Sequence, residues 1–461
     1  MRNIAINRRQ LLEAAAAAAG GLVLSSLAPR GARALPLQKK RRFVFAYFEG
    51  GWDILLGLDP RDPATNNARD QLIDPNYGAL AQVYQARGIQ RTPSGLRFGP
   101  AIPPELLAHA DKISIVNGLA MDTAAHEVGR RYFITGRFPR GLTAVGSSTA
   151  AEIVAQVGEN TPIPHLSAAV ESYATGLPPA ASALNVNSLP DLITALTPFV
   201  QLDPAIQMAV ENYQNQGAGC GGQSLDRDGL TTNLLRNQKK ARDYISLKLD
   251  QVFNIGRTDA EMQRLLGLYG ISGANYAEPS PEVLSFVAAQ AVKSNISQCV
   301  SVRLTESLDT HTDWAADQAP RQERGWKALA SLMSDLAATP SPEGPGRTML
   351  DETTILAFSE FGRTPLFNNL RGRDHFLGNS CLLAGAGIKG GVTYGSSAAI
   401  GLMPLDVELA TGRGVEIASA EDKASGKVIT LSPKHVLATI LSSAGLDPSY
   451  LRVPALMPLI A

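Results

Sequence analysis

Residues 43–48 have the sequence Phe-Val-Phe-Ala-Tyr-Phe, and Glu49-Gly50-Gly51-Trp52-Asp53 follows directly. The six residues form an unbroken apolar run, whereas a strand with one face in water alternates apolar and polar residues. The run therefore predicts a central parallel strand that is buried on both faces. Four similar runs predict further strands, at residues 113–116, 300–304, 354–358 and 381–384.

Helical patterns lie between these runs, at residues 150–157, 321–336 and 433–443. The last pattern has Ser432 at its N-cap and Pro433 in its first turn, where helices accept these residue types. Because strands alternate with helices along the chain, the sequence predicts a layered α/β fold around a mostly parallel sheet.

The sequence changes character between residues 162 and 292. Proline-rich loops such as 177–179 are followed by long amphipathic stretches at 234–253 and 260–268. This combination of proline-rich loops and amphipathic stretches predicts a helical insertion or cap over the sheet.

The sequence predicts four segments. We expect a signal peptide at residues 1–34, a core formed by residues 35–160 and 295–461, and the insertion at residues 161–294 between the two core parts. The glycine-rich loop at 217–222 lacks the Lys-Ser/Thr pair of a phosphate-binding P-loop and is interpreted as a linker.

The N-terminus has the three regions of an export signal. Arg8 and Arg9 precede an Ala- and Leu-rich stretch at residues 11–27, and Ala32-Arg33-Ala34 supplies a small-x-small cleavage site. These features predict a twin-arginine signal peptide, with the twin-arginine translocase as a partner during export and the periplasm or the exterior as destination. The apolar stretch is short for a bilayer and is interrupted by Gly20-Gly21, so no stable transmembrane anchor is expected.

Charge and cysteine content narrow the function classes. Lys and Arg together number 42, as do Asp and Glu. This balance gives no reason to expect nucleic acid or an anionic membrane as a partner. The three cysteines, Cys220, Cys299 and Cys381, allow at most one disulfide bond, so a disulfide framework does not hold the fold together.

Polar residues cluster in the sequence where the predicted strands end or begin. Carboxylates and histidines occupy four such places: Asp53, then Asp309, His311 and Asp313, then Glu360, then Asp374 and His375. Ligands of parallel sheets gather beyond the carboxyl ends of the strands, so we expect these side chains to meet. A set of carboxylates and imidazoles without thiolates suits zinc, manganese, magnesium, calcium or iron. The sequence therefore predicts a shared metal site.

Five motifs carry a resemblance to a known family. They are Gly50-Gly51-Trp52-Asp53, Asp309-Thr310-His311, Ser359-Glu360-Phe361-Gly362-Arg363-Thr364-Pro365, Gly372-Arg373-Asp374-His375, and the segment from Leu383 to Gly391. Together they resemble the exported bacterial family called domain of unknown function 1501, across essentially the whole mature chain. That family is similar to the alkaline phosphatase and sulfatase superfamily. The resemblance implies a three-layer α/β/α fold, one or two bound metal ions, and hydrolysis or transfer of phosphate or sulfate esters.

The resemblance also implies roles for individual residues. Asp53 matches the first metal aspartate of the superfamily, the cluster from Asp309 to Asp313 matches its mid-chain ligands, and Asp374-His375 resembles a late Asp-His pair. Glu360 and Phe361 stand where an Asp-His pair is usual. Because Phe361 cannot bind a metal, one of the two metal positions is expected to be weakened or lost. The implied ligands are thus Asp53, Asp309, His311, Glu360, Asp374 and His375.

The nucleophile position also departs from the superfamily pattern. Counting back from Ile134-Thr135-Gly136 places His126 where sulfatases have a cysteine or serine, and Arg130 at the anion-stabilising arginine. Histidine in this place can bind the metal or act as base or nucleophile. Thr123 is the nearest hydroxyl substitute. Arg130 or Arg363 is expected to offset charge that develops on the ester.

Two functions remain open at this stage. The first is an exported metal-dependent hydrolase that acts on a small anionic phosphate or sulfate ester. The alternative is a catalytically degenerate binding or assembly protein of the periplasm or cell surface that keeps the fold. The remaining histidines, His109, His165 and His435, have no carboxylate companions in the sequence and are interpreted as core or surface residues.

Overall fold

The computed structural model describes residues 41–158, 160–197, 248–273, 276 and 278–461, together with residues 205, 208 and 212. The predicted signal peptide, the predicted linker at 217–222, Cys220 and most of the predicted helix at 234–253 lie outside the described residues.

Eight strands form one central sheet in the order β8-β2-β7-β6-β1-β5-β3-β4. Their bounds are β1 Arg42–Tyr47, β2 Ile113–Ala120, β3 His165–Ala168, β4 Leu184–Val186, β5 Cys299–Arg303, β6 Thr353–Phe358, β7 Gly378–Gly385 and β8 Val392–Tyr394. Each of the five runs predicted as strands falls within or within one residue of one of these elements, so the strand predictions are confirmed.

The first strand is buried on both faces, as the sequence predicts. Every residue of β1 is buried, and alternate side chains belong to two separate hydrophobic clusters. Val44 and Ala46 pack into one cluster, while Phe43, Phe45 and Tyr47 pack into the other. Since side chains alternate across a strand, the two clusters lie on opposite faces of the sheet.

Seven of the eight strands run in the same direction, and β7 runs against both of its neighbours. The sheet is therefore mostly parallel, as the sequence predicts, and residues 381–384 belong to its antiparallel strand β7. A parallel return needs a crossover, usually a helix, whereas the link from β6 to β7 contains a short hairpin of Gly362–Arg363 with His375–Phe376. As a consequence, β7 begins at the edge of the sheet where the other strands end, with Gly378 opposite Ala120.

Eleven α-helices are present among the described residues. They are α1 Gln82–Arg87, α2 Pro104–Leu107, α3 His126–Thr135, α4 Thr149–Val157, α5 Leu189–Leu196, α6 Leu249–Val252, α7 Ala260–Tyr269, α8 Pro281–Lys293, α9 Trp314–Ala338, α10 Ala420–Ala424 and α11 Pro433–Ser443. The predicted helices at 150–157 and 433–443 are confirmed, and the pattern at 321–336 lies inside the longer α9.

The segment predicted as a helical insertion also contributes strands. Within residues 161–294, β3 pairs in parallel with β5 and carries β4 on its other side, so this segment extends the central sheet. The same segment supplies helices α5 to α8. The boundaries 161 and 294 stay a prediction.

Two further features concern the described residues. No helix among them combines the length and apolar character needed to cross a membrane. Cys299 in β5 and Cys381 in β7 are buried free thiols. The described part of the chain is therefore held together by its core.

Candidate metal centre

The candidate site lies at the edge where the parallel strands end. His126 is the first residue of α3, which follows β2. Asp309 and His311 lie in the loop between β5 and α9, and Glu360 lies just after β6. His375 begins the short hairpin strand that precedes β7. The antiparallel course of β7 thus brings His375 to the same edge as the other residues.

Two glycines allow the loops of the site to approach one another closely. Gly50 has a φ of 104°, and a Cβ on this residue would lie 2.2 Å from the backbone nitrogen of Leu308. A Cβ on Gly372 would lie 1.9 Å from the carbonyl carbon of His311. Side chains at these positions would push apart the loops that carry Asp309 and His311, so both positions require glycine.

Three potential metal ligands, His126, Asp309 and His375, place one donor atom each within 4.8 Å of one another. The Nε2 atoms of His126 and His375 lie 3.4 and 3.1 Å from Asp309 Oδ1. His311 extends this group, because its Nε2 lies 3.0 Å from the same oxygen and 3.0 Å from His375 Nε2. Three imidazole nitrogens therefore surround one carboxylate oxygen. We call these four residues the histidine cluster.

The other ring nitrogen of each histidine faces an oxygen acceptor. Nδ1 of His126 lies 2.8 Å from Glu360 Oε1, Nδ1 of His375 lies 2.6 Å from the carbonyl oxygen of Ala124, and Nδ1 of His311 lies 2.7 Å from Asp374 Oδ1. An acceptor at Nδ1 holds the proton there and leaves the Nε2 lone pair free for a metal ion. All three rings are thus oriented to present Nε2 to the same point.

The separations match the donor spacing of a metal site. A tetrahedral zinc ion with bonds of about 2.0–2.1 Å to nitrogen holds neighbouring ligand atoms roughly 3.3 Å apart. The distances of 3.0 to 3.4 Å within the histidine cluster agree with this spacing. In addition, His126 Nε2 is buried and has no hydrogen-bond partner among the described residues. Nitrogen and carboxylate donors together fit a divalent cation.

Asp309 is held in its ionised form. Partial burial alone would raise its pKa, but the hydrogen bond from Arg363 and the contact with His375 outweigh burial and keep the pKa of Asp309 well below its usual range. Arg363 Nη2 lies 2.5 Å from Asp309 Oδ1. A carboxylate that stays ionised is available as a metal ligand across the physiological pH range.

Glu360 and His126 form a charge-assisted pair at the base of the cluster. Complete burial would raise the pKa of Glu360, but the hydrogen bond with His126 and further bonds reverse this and lower it. Burial would likewise lower the pKa of His126, yet its contact with Glu360 raises it. Backbone nitrogen Gly50 N and Ser359 Oγ also donate to Glu360, at 2.8 and 2.9 Å. Glu360 therefore orients His126 and is not itself within the histidine cluster.

Burial has the opposite effect on His375. It lowers the pKa of this ring, and the contacts with Asp309 and Ala124 do not fully compensate. His375 is therefore kept neutral more readily than a free histidine, and the neutral ring is the form that binds a metal ion.

Arg363 links the cluster to the turn that follows β1. Its side chain is fully buried and donates to the carbonyl oxygens of Gly50, Gly51 and Arg373 as well as to Asp309. With these contacts the guanidinium fixes the Gly50-Gly51 turn and places a positive charge beside Asp309.

The structure places Asp53 in a different environment from the histidine cluster. This fully buried carboxylate accepts hydrogen bonds from Trp314 Nε1 at 2.7 Å and from the backbone nitrogen of Leu55 at 2.9 Å, and its Oδ2 lies 3.0 Å from Arg373 Nε. The Arg373 guanidinium also lies over the rings of Trp314 and Phe367. These contacts balance the buried charge of Asp53 without a metal ion. Its role as a metal ligand stays a prediction.

The remaining predicted residues lie outside the histidine cluster. Phe361 packs its ring against His126 and His375, with centroid distances of 4.8 and 4.5 Å. Arg130 lies one helical turn after His126 and donates to Glu171 at 2.7 Å. Thr123 accepts from the backbone nitrogen of Ala125, and Asp313 precedes the first residue of α9. Asp374 is half-exposed and holds His311 in place through its contact with Nδ1.

The other three histidines lie elsewhere in the fold. His109 bonds Ser334, His165 faces the carbonyl oxygen of Ala181, and His435 takes part in the N-terminal capping of α11. Each is thus accounted for by structural contacts, in agreement with the interpretation from sequence.

Comparison with curated proteins found no match. Residues 40–410 match the model of a family described as protein of unknown function (DUF1501), and this span contains the whole histidine cluster. The match covers most of the chain, so the protein belongs to this family.

Proposed function

We propose that this protein is an exported, metal-dependent hydrolase of phosphate or sulfate esters. We further propose that its mixed α/β architecture is the three-layer, alkaline-phosphatase-like fold that its sequence motifs resemble. The observation that carries the proposal is the convergence of three imidazole Nε2 atoms on Asp309 Oδ1, with every Nδ1 facing an oxygen acceptor.

His126, His311, His375 and Asp309 would hold the ion. A divalent cation in this position supplies positive charge to an ester oxygen and lowers the pKa of a water molecule. Zinc, manganese, magnesium and calcium are the candidates, and the three nitrogen donors favour zinc over the three ions that prefer oxygen ligands.

The chain's own residues would prepare the site for an anionic ester. Arg363 keeps Asp309 ionised and offsets part of the negative charge around the cluster. Arg130 lies close by on the same helix as His126, although its Nε is already bonded to Glu171. A substrate anion that recruits Arg130 must compete with this carboxylate.

The test measures the hydrolysis of several classes of ester by metal-loaded protein. Aryl phosphate monoesters, phosphate diesters and sulfate esters are offered to the wild type and to Asp309→Ala and His375→Ala. We expect turnover of at least one ester by the wild type and loss of that turnover in both variants. Thr123→Ala is the control, because a metal-activated water would not need this hydroxyl.

The alternative is a protein that binds ligands but does not turn them over. Phe361 favours it, because an apolar ring packs against His126 and His375 where the superfamily has a second metal ligand. If protein with confirmed metal occupancy turns over none of the esters, that result would contradict the hydrolase proposal and support this alternative.

A further inference from the structure

Asn368 lies in the loop that joins the two strands of the short hairpin, between the motif that ends at Pro365 and the motif that begins at Gly372. The sequence assigns it no role. Its side-chain oxygen accepts hydrogen bonds from the backbone nitrogens of Leu370 and Gly372, at 2.9 and 3.0 Å. These two bonds shape the turn that brings Gly372 against the backbone of His311.

The side-chain nitrogen of Asn368 connects two loops of the site. Nδ2 donates to the carbonyl oxygen of His311 at 3.0 Å and to Asp374 Oδ1 at 2.9 Å. The same Asp374 oxygen lies 2.7 Å from His311 Nδ1. One amide group therefore contacts both the backbone of His311 and the carboxylate that orients its ring.

The four contacts allow only one orientation of the Asn368 amide. A carbonyl oxygen and an ionised carboxylate only accept hydrogen bonds, whereas backbone nitrogens only donate them. An amide turned by half a rotation would lose all four bonds. Both donor hydrogens and both acceptor lone pairs of this side chain are thus in use.

Asp374 depends on such support more than the other Nδ1 acceptors of the histidine cluster. Glu360 is fully buried and receives further hydrogen bonds, and the acceptor for His375 is a backbone carbonyl. The Asp374 side chain is 51% exposed, and among the described residues Asn368 is its one hydrogen-bond donor besides His311. An exposed carboxylate with a single contact holds its partner weakly, because the contact costs side-chain freedom and competes with water.

We propose that Asn368 is a positioning residue of the metal centre, which fixes Asp374 and thereby directs His311 Nε2 at Asp309. This inference rests on the metal centre of the proposed function but not on ester hydrolysis. It requires that the two donor hydrogens of Asn368, and not only its turn, support metal affinity.

The test is a competition for zinc between chelators of graded affinity and the purified full chain, as wild type, Asn368→Asp and Asn368→Ala. Asn368→Asp keeps the two acceptor contacts of the turn and loses both donors, while Asn368→Ala loses all four contacts. We expect each substitution to lower the affinity for zinc about tenfold, the lower end of the range for outer contacts of metal ligands. In a His311→Ala background neither should lower it further, because the ring that Asn368 positions is absent.

Asn67→Asp is the matched control. Asn67 Oδ1 also accepts from two backbone nitrogens, those of Arg69 and Asp70, and its Nδ2 donates to the Asp70 carboxylate at 3.0 Å. These residues are not part of the histidine cluster, so this variant should bind zinc like the wild type. A new negative charge near the cluster would by itself favour a cation, so charge alone does not explain a loss of affinity.

The proposal is overturned if Asn368→Asp or Asn368→Ala binds zinc like the wild type. It is also overturned if either substitution causes the same loss in the His311→Ala background, because the turn would then have a purely structural role. A wild type that binds no zinc would overturn it together with the metal centre, whereas the first two results would leave the metal centre standing.

Discussion

At the scale of single residues, the Nδ1 contacts explain how the site is organised. Each histidine of the cluster has one nitrogen fixed by an oxygen acceptor and the other directed at Asp309. Glu360 does this for His126 from a fully buried position. Outer contacts of this kind usually contribute tenfold to one hundredfold to metal affinity.

We therefore expect Glu360→Gln to lower the affinity for zinc by about tenfold to one hundredfold. The amide keeps the size of the side chain but presents a weaker acceptor to His126 Nδ1. Competition with a chromophoric chelator measures the affinity. Glu352→Gln is the control, since it also disrupts a buried ion pair, with Arg42, but at the opposite edge of the sheet. Equal zinc affinity of Glu360→Gln and the wild type would contradict this role.

The sequence predicts that several of these residues meet, but not which of them form the histidine cluster. Asp309, His311 and His375 follow from carboxylates and imidazoles placed where strands end or begin. His126 follows only from the resemblance, because its partners Glu360 and Asp309 are distant along the chain. The pairing of Asp53 with Arg373 has no local signal either, since it depends on how Trp314 and the loop after β6 pack in three dimensions.

At the scale of elements, the hydrophobic pattern predicts the strands but not the antiparallel direction of β7. The apolar run of β1 has no alternation because both of its faces are covered, and the structure confirms this. The run of β7 is equally apolar, yet its antiparallel course is set by the connection before it. Strands β3 and β4 are short and lie in a segment with proline-rich loops, so their sequences give no clear strand pattern.

The fully buried ring of His165 in β3 makes the free energy of unfolding of the protein dependent on pH. Burial lowers the pKa of His165 to about 4, from 6.5 in the unfolded chain. Between these values the unfolded chain binds a proton that the folded protein does not. The free energy of unfolding is therefore unaffected by His165 above pH 6.5 and decreases as pH falls toward 4. The loss from this residue is on the order of 3 kcal/mol.

We expect His165→Gln to flatten the decline of the unfolding free energy between pH 6.5 and 4. Denaturant unfolding in the presence of a chelator measures it without a contribution from metal ions. His109→Gln, which alters a partly exposed ring, should change the slope much less. A His165→Gln protein with the slope of the wild type would show that His165 does not titrate as burial requires.

At the scale of the whole molecule, acidic and basic residues are equal in number and both faces of the sheet are buried. The function is therefore expected to depend on a local site. The order of the eight strands is not predictable from local patterns, because most neighbours in the sheet come from distant parts of the chain. That order nevertheless determines which loops meet at the site.

Export is a property of the whole chain that the N-terminal sequence predicts. Changing Arg8 and Arg9 together to lysine should leave the precursor in the cytoplasm, because the twin-arginine route requires this pair. Fractionation and immunoblotting measure the result. Arg2→Lys is the control and should be exported normally. Normal processing of the double variant would contradict the twin-arginine prediction.

The most direct measurement of the central claim is anomalous X-ray diffraction from crystals of the full chain soaked in zinc. We predict a single strong peak about 2.0–2.2 Å from His126 Nε2, His375 Nε2 and Asp309 Oδ1, with His311 Nε2 as the additional donor. In His375→Ala crystals treated in the same way, the peak should weaken or vanish. An absence of anomalous density at the histidine cluster in the wild type, or a peak confined to Asp53, would contradict the metal centre described above.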